Sequence, residues 1–494
     1  MGKYILAFDI GTSSIKASLF GSDGDVYKIY SYEYKTFFDD NGGAEQDPDE
    51  WWNGVIKICQ QISKEIGGDR IAVISFSGQE SGLVLVDENG KIIRNSMIHC
   101  DMRAQKEALD LLTYMSEDEF FHITGHVASA GYTVTKLMWV KTNEPTHYHN
   151  ICKILNAKDY IVYKLTGIFV TDHTDASFTG MYDINTKKWS EKICTVIGID
   201  MEKLPEIKES TFIAGKTDEH FYKLTQLESG IPVVLGAGDG QCASIGCGAV
   251  KPGKIYNSLG TSSWITVILK NVPERCDKCL ETSGHPAGDF ANSGGTMQTA
   301  GTAREWAIQQ LYADSKAEII FEELSQTHPE RNKLIFLPYL NGERVPWWDR
   351  NARGTFIGIN SNTTRADMLR AVLEGIAFNL RIILDVAKRY EKFDQMIAFG
   401  GLTKDKIFCQ ILADIYEMPV VTLKNASHIT ALGAAIIGGV AVDIYDDFSI
   451  AEKLAQKDQI YYPNEKNKQI YEKKYAIFKK SYGSLKAIFQ EMNE

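Results

Sequence analysis

An α/β protein built as two similar halves with a cleft between them is the fold this sequence predicts. Three observations carry that reading. The chain has 494 residues, too many for one hydrophobic core and suited to two units of about 250. The stretches FDIGTSSIKASLF, from Phe8, and SLGTSSWITVILK, from Ser258, share one pattern: strand, Gly-Thr-Ser-Ser turn, strand. Each is followed by helical patterns interleaved with short apolar strands, as in layered α/β units. The expected units are residues 1–246 and 247–494.

The bulky residues Tyr4, Ile5, Leu6, Ala7 and Phe8 read as a buried strand. Residues 14–20 resume as a second strand, Ser22-Asp23-Gly24-Asp25 is a hairpin turn, and residues 26–34 make a third, so the chain opens as a β-meander. Gly42-Gly43 and Asp47-Pro48 mark a loop. Pro48 opens a helix through Trp51, Trp52, Val55, Ile56 and Ile62, with Asp47 as its N-cap; both tryptophans are expected to pack beneath it. Residues 71–76 form a buried strand ending at SGQESG, and residues 83–86 a shorter one closed by Asp87-Glu88-Asn89-Gly90. Helical patterns fill residues 101–166. From Ile231, IPVVLGAGDGQCASIGCG reads strand, glycine turn, small-residue helix. A second meander starts near Lys254. QMIAFGG, from Gln395, is a strand with a helix behind it. Between Lys466 and Lys480, lysines alternate with tyrosines on what reads as a solvated helix.

A net charge of −11 and the lack of any lysine–arginine block argue against a nucleic-acid partner. Nine cysteines in no framework point to a reducing compartment. Cys276 and Cys279 make half a zinc site with no second pair, and His99, His122, His126, His147 and His149 show no metal spacing. No secretory signal is visible, and the longest apolar run, residues 431–442, is too short to span a bilayer. These features predict a cytoplasmic protein with no membrane partner. Trp347 and Trp348, in NGERVPWWDR, lie near a loop where they offer a surface to a ligand or to a second subunit.

A Gly-Thr-Ser-Ser turn between strands points backbone N–H groups and hydroxyls at one spot, a nest suited to phosphate oxygens. Gly11, Thr12 and Ser13 form the first and Gly260, Thr261 and Ser262 the second, so two facing turns would hold a polyphosphate between them. Asp9 ends a buried strand, where an unpaired carboxylate is costly; a hydrated Mg²⁺ bridging phosphates would compensate it. The matching position in the second half is Ser258, so only the first turn manages a metal. Asp239, between Gly238 and Gly240, ends another apolar strand. It can accept the proton of an alcohol attacking phosphorus; the alternative is a carboxylate that caps the following helix. The two carboxylates, Asp9 and Asp239, are expected on opposite edges of the cleft. Gly400 and Gly401 allow flat contact with a ring or ribose. Together these pieces suggest phosphoryl transfer from ATP. The Gly-x-x-x-x-Gly-Lys-Ser/Thr loop is absent, as are the His-Arg-Asp and Asp-Phe-Gly sets.

These residues resemble the FGGY carbohydrate kinases, within the actin-like ATPase superfamily of ribonuclease H-like domains, over nearly the whole chain. FDIGTSSIKASLF and SLGTSSWITV are similar to the two phosphate motifs, and AFGGLTKDKIFCQILADI to the adenosine motif. GTFIGINSNTTRADMLRAVLEG follows the C-terminal signature through Gly354, Phe356, Gly358, Asp367, Ala371 and Glu374. AEQDPDEWW, KLMWV, AKDYIVYKLTG, TDHTDAS and FLPYLNGER resemble phrases of the xylulokinase branch. The resemblance implies two actin-like ATPase domains about a central cleft, with ATP and Mg²⁺ as cofactors. It implies that Asp239 is the general base and joins Asp9 at the metal. It places Gly11, Thr12, Ser13, Gly260, Thr261 and Ser262 at the phosphates and Gly400 and Gly401 at the adenosine. The sugar would sit over Gln79, Glu80, Ser81, Asp101 and Asp239. The implied reaction converts D-xylulose to D-xylulose 5-phosphate, and a homodimer is an expectation of the resemblance alone.

Two departures bear on the substrate. Gln79-Glu80-Ser81 stands where xylulokinases usually read Gln-Met-His, and Gly240 where Asn is common, so ribulose, L-xylulose, a tetritol and glycerol stay open. Asp101, in HCDMRA, has a second reading as a plain Asp–Arg ion pair. Two other functions would use the same nucleotide motifs: an actin-like ATPase acting as chaperone or filament subunit, and a sugar sensor of low turnover.

Overall fold

The computed structural model describes residues 3–274, 278–331 and 333–492. Cys276 therefore lies outside the described residues; Cys279 is buried. Among the described residues no group of three or more His, Cys, Asp or Glu side chains is placed to hold a metal.

Two seven-stranded sheets organise the chain. The first runs Ile213–Lys216, Pro232–Val234, Ile71–Gly78, Tyr4–Ile10, Ser14–Phe20, Val26–Glu33, and Ala237–Gly238 pairs beside Ile71–Gly78. The second runs Glu281–His285, Gly288–Met297, Ser263–Leu269, Ile255–Leu259, Met396–Phe399, Val420–Leu423, Lys457–Tyr461. The two orders correspond strand for strand through the middle. In both, a Gly-Thr turn joins an antiparallel pair, and the strand before the turn pairs in parallel with a later one. Parallel pairing needs a crossover. The helix Pro48–Ile66 lies in the first and the helix Arg365–Ala387 in the second. The repeated turn is thus the visible mark of a repeated topology.

Local chemistry explains the elements. Ile5, Leu6, Ala7, Phe8 and Ile10 are all buried because both faces of that strand are covered, which is why it reads as an unbroken apolar run. Asp47 caps the Pro48–Ile66 helix by accepting the Asp49 N–H at 2.9 Å, and Pro48 occupies the first turn. Trp51 is wholly buried beneath it and Trp52 packs on Phe221. The 101–166 region is helical as expected, except that the strand Lys153–Leu155 interrupts it and pairs with Val84–Val86.

The helices Asp239–Gly246 and Ile429–Ala441 trade places. The first follows the first sheet in the chain, yet its Ala243 and Cys247 beyond it pack among Tyr256, Ile268, Ile397 and Phe399 of the second sheet. The second follows the second sheet, yet Ala431, Ala434, Ala435 and Ile436 lie with Ile5, Ala7, Val73 and Val234 of the first. A cut between residues 246 and 247 therefore separates the two sheets but not the two apolar layers. The helices cross with glycine on each side. A Cβ on Gly246 would fall 1.8 Å from the Ile429 carbonyl oxygen, and one on Gly433 1.8 Å from that of Cys242. Among the described residues no helix is long and apolar enough to cross a membrane.

Two expectations change. The Glu465–Glu491 helix is solvated on one face only: Tyr471, Tyr475, Phe478 and Tyr482 belong to the second core, and Lys474 is buried against Glu374. Aromatic residues spaced three and four apart form a core stripe, and this spacing outranks the lysines between them. Trp347 stacks on Tyr482 at 4.1 Å and donates to the Tyr339 hydroxyl, while Trp348 donates to the Lys278 carbonyl. Both are engaged within the chain.

Candidate active site

The strand ends of the first sheet carry both carboxylates. Asp9 is in register with Ser77 across Tyr4–Ile10 and Ile71–Gly78, and Ala237 is in register with the same Ser77 on its other side. Asp9 and Asp239 thus flank one strand end. Part of the sequence expectation is corrected here: they do not face each other from opposite halves. They share one sheet edge because three parallel strands end together there.

Their environments couple. Burial, and after it the charge of Asp9, pushes the Asp239 carboxyl up to about 7, against its backbone hydrogen bonds. Burial also raises Asp9, opposed by the Ser77 hydroxyl and by Lys16. Glu80 is the third acid. Burial first, then the charges of Asp239, Asp175 and Asp172, hold it well above the ordinary carboxylate range. The backbone on either side of Asp239 brings Glu80 close. A Cβ on Gly238 would stand 1.9 Å from Glu80 Oε1 and 2.7 Å from Gln241 Oε1. Neither oxygen has a hydrogen-bond partner among the described residues. Gln241 spends its amide N–H on Ser283 Oγ at 2.7 Å, which fixes its oxygen toward the gap. Among the described residues the site beside Asp239 therefore offers unpartnered side-chain oxygens, which hydroxyl groups complement.

The rest of the 79–81 loop is supported from behind. Gln79 donates to the Gly11 carbonyl at 3.4 Å and to Gln46 at 2.9 Å, tying this loop to the first turn. Ser81 adopts φ +59, a costly conformation for a residue with a Cβ. Its carbonyl accepts the buried Lys136 ammonium at 2.7 Å. Asp101 is wholly buried, and both its oxygens are held, by the Ala44 N–H and by Arg103 at 2.6 to 3.2 Å. That is the ion-pair arrangement.

The two glycine turns share a plan, the first being one residue longer between its paired strand ends. In the first, Gly11 N–H bonds to Ser14 O at 3.2 Å. The carbonyls of Gly11, Thr12 and Ser13 accept from Tyr34, Gln46 and the Tyr34 backbone respectively. In the second, Gly260 N–H bonds to Ser262 O at 3.0 Å, and the carbonyls of Gly260 and Thr261 accept from Gly301, Ala300 and Thr302 at the start of the Gly301–Tyr312 helix. With those carbonyls engaged, Thr12, Ser13, Thr261 and Ser262 stay half-buried or exposed, and N–H groups and hydroxyls of such turns suit an oxyanion. Gly400 lies against the second turn. Its φ is +106, and a Cβ added there would fall 2.5 Å from the Leu259 oxygen, so only glycine fits. Gly401 faces open space.

The halves meet at the base of this site. Tyr256, two residues before Ser258, donates to the Gly240 carbonyl at 3.0 Å. Tyr132 hydrogen-bonds Glu281 across the seam, and Arg344 adds a half-buried cation whose Nε has no hydrogen-bond partner among the described residues. Tyr132, Lys136, Gln241, Glu281, Ser283 and Arg344 escape sequence reasoning. Three of them stand in stretches with a signal: Lys136 in KLMWV, Arg344 in FLPYLNGER, and Gln241 two positions beyond Asp239 in an otherwise small-residue helix.

Residues 4–246 match the FGGY family of carbohydrate kinases, N-terminal domain, and residues 255–442 match its C-terminal domain. The chain belongs to the FGGY family of carbohydrate kinases. It is 31% identical to a xylulose kinase of Staphylococcus xylosus over 481 residues, covering 97% of this chain and 99% of that one. A ligand-bound xylulose kinase structure from Lactobacillus acidophilus superposes with a TM-score of 0.94 at 29% identity, over 99% of this chain and 100% of the other. A gluconate kinase structure from the same organism also gives 0.94 at 29%, over 99% of each chain. This FGGY kinase thus has the two-domain fold of the actin-like ATPases, and ATP is its cosubstrate. The family membership sets aside a filament or chaperone ATPase in favour of a sugar kinase.

Proposed function

We propose that this FGGY kinase transfers the γ-phosphoryl group of ATP to a hydroxyl of D-xylulose, forming D-xylulose 5-phosphate. The observation that carries the chemistry is the Asp239 carboxyl, raised to about 7 beside unpartnered acceptors. Asp239 takes the proton of the sugar hydroxyl as its oxygen bonds to phosphorus, and ADP leaves. Thr12, Ser13, Thr261 and Ser262 donate to the phosphate oxygens, Gly11 and Gly260 permit the close approach, and Gly400 and Gly401 lie flat against the adenosine. Gln79, Glu80 and Ser81 line the sugar. Asp9 and Asp239 fit a hydrated Mg²⁺, which takes one or two carboxylates together with phosphate oxygens. When bound, that ion neutralises charge on the phosphates.

A coupled ADP-release screen over ketoses, polyols and aldonates tests the reading: D-xylulose is expected to give the highest kcat/KM. A second reading, another ketose or polyol such as ribulose, L-xylulose, a tetritol or glycerol, is favoured by Glu80, an acid where xylulokinases usually carry Met. Replacing Glu80-Ser81 by Met-His should raise D-xylulose turnover relative to the polyols. An unchanged preference would mean that this loop does not read the sugar.

The pH profile supplies a further expected result. Asp239 acts only when ionised, and its pKa is raised, so kcat/KM should fall with unit slope below about pH 7. An acid limb near pH 4, the range of an ordinary carboxylate, would count against this assignment.

A further inference from the structure

We propose that Asp172 is a positioning residue for Asp239, acting through Thr174 and Ser210 on the glycine-rich segment that leads into it. The inference rests on the reading of Asp239 as the base. Gly236 and Gly238 have no side chains with which to lock this segment. A Cβ would fall 1.8 Å from the Phe76 carbonyl oxygen at Gly236, a backbone atom, and 1.9 Å from Glu80 Oε1 at Gly238, where the Glu80 side chain would have to move aside. The backbone must be held from outside, through its N–H groups.

Asp172 does so by two arms. The Thr174 hydroxyl donates to Asp172 Oδ2 at 2.6 Å, which turns its lone pair to the Gly238 N–H at 2.9 Å. The Ser210 hydroxyl donates to the same Oδ2 at 2.8 Å, and the Ser210 carbonyl accepts the Gly236 N–H at 3.0 Å. Asp172 Oδ1 pairs with Lys158 Nζ at 2.9 Å. Lys158, Asp172, Thr174 and Ser210 are all wholly buried. Asp172 also caps the short helix His173–Ser177. Capping accounts for its bonds to backbone N–H groups, and it gives no reason for a buried lysine partner or for two hydroxyl arms that end on residues 236 and 238. A charge taken out of water needs such a partner, and a network satisfied at each step holds a unique geometry. Asp239 begins one residue beyond the second anchor. A misplacement of about 1 Å at a reacting group can cost about 100-fold in rate.

Thr174→Val removes the hydroxyl at nearly constant volume. With the best sugar from the ADP-release screen, kcat should fall about 10- to 100-fold, while the Kd values of ATP and of the sugar, read by calorimetry, stay at the parental values. Thr174→Ser should restore kcat, and Ser210→Ala should lose part of it. In an Asp239→Asn background Thr174→Val should cost nothing further. Parental kcat in Thr174→Val, or a Thr174→Ser variant as slow as the valine, overturns the proposal. So does a loss of binding equal to the loss of kcat. If the valine variant does not fold, by circular dichroism and gel filtration, Ser210→Ala decides, and parental kcat there overturns it. The underlying reading fails separately, if Asp239→Asn itself retains parental turnover.

Discussion

Asp239→Ala is expected to lower sugar-dependent ADP release by about 10²- to 10⁴-fold, or about 3 to 5.5 kcal/mol of transition-state stabilisation. The alcohol must lose its proton as it bonds to phosphorus, and Asp239 is the carboxyl whose raised pKa suits that transfer near neutral pH. The loss should fall on kcat. ATP binding, measured by calorimetry, should persist, because the two glycine turns and the Gly400–Gly401 loop hold the nucleotide through groups this substitution leaves untouched. Near-parental turnover would rule out Asp239 as the base.

Gly433→Ala should damage stability and catalysis together. The added Cβ would stand 1.8 Å from the Cys242 carbonyl oxygen, a backbone atom with no rotamer to escape into. Overpacking of this kind costs about 1–3 kcal/mol. The helix pushed away is Asp239–Gly246, whose first residue is the proposed base. A lowered Tm should therefore come with a lowered kcat. Gly483→Ala is the control: it sits exposed in the Glu465–Glu491 helix, an added Cβ meets nothing within 4 Å, and helix propensity predicts a gain of about 0.5–1 kcal/mol. Gly433→Ala with parental Tm and kcat would show that the helix crossing tolerates separation.

The meanders and the turn-borne motifs are legible because their signals are local. Apolar runs of strand length, glycine–hydroxyl turns and the Asp47-Pro48 start each declare themselves within about ten residues. What is not local stays hidden. Nothing in Asp9 or Asp239 says that both flank the end of the strand Ile71–Gly78, because that depends on the register of their two strands with it. Tyr132 and Glu281 meet across 149 residues of chain, and neither stands in a motif. Glycines 246 and 433 are visible, but their closeness is not, since each helix rests on the other half's sheet. The lysine-rich C-terminal helix misleads because its charge density masks the spacing of its tyrosines. Asp101 is ambiguous for a related reason: a carboxylate beside an arginine in sequence can serve a ligand or its neighbour, and only the Ala44 N–H on its second oxygen shows which.

The exchange of helices has a consequence for synthesis on the ribosome. The face of the first sheet that carries Ile5, Ala7, Val73 and Val234 is covered by residues 431–437, which are made long after the last of those strands. A nascent chain therefore carries an apolar surface through most of its elongation, and chaperones that bind such surfaces will meet it then. Truncation before residue 429 would leave that face permanently wet, whatever became of the catalytic groups.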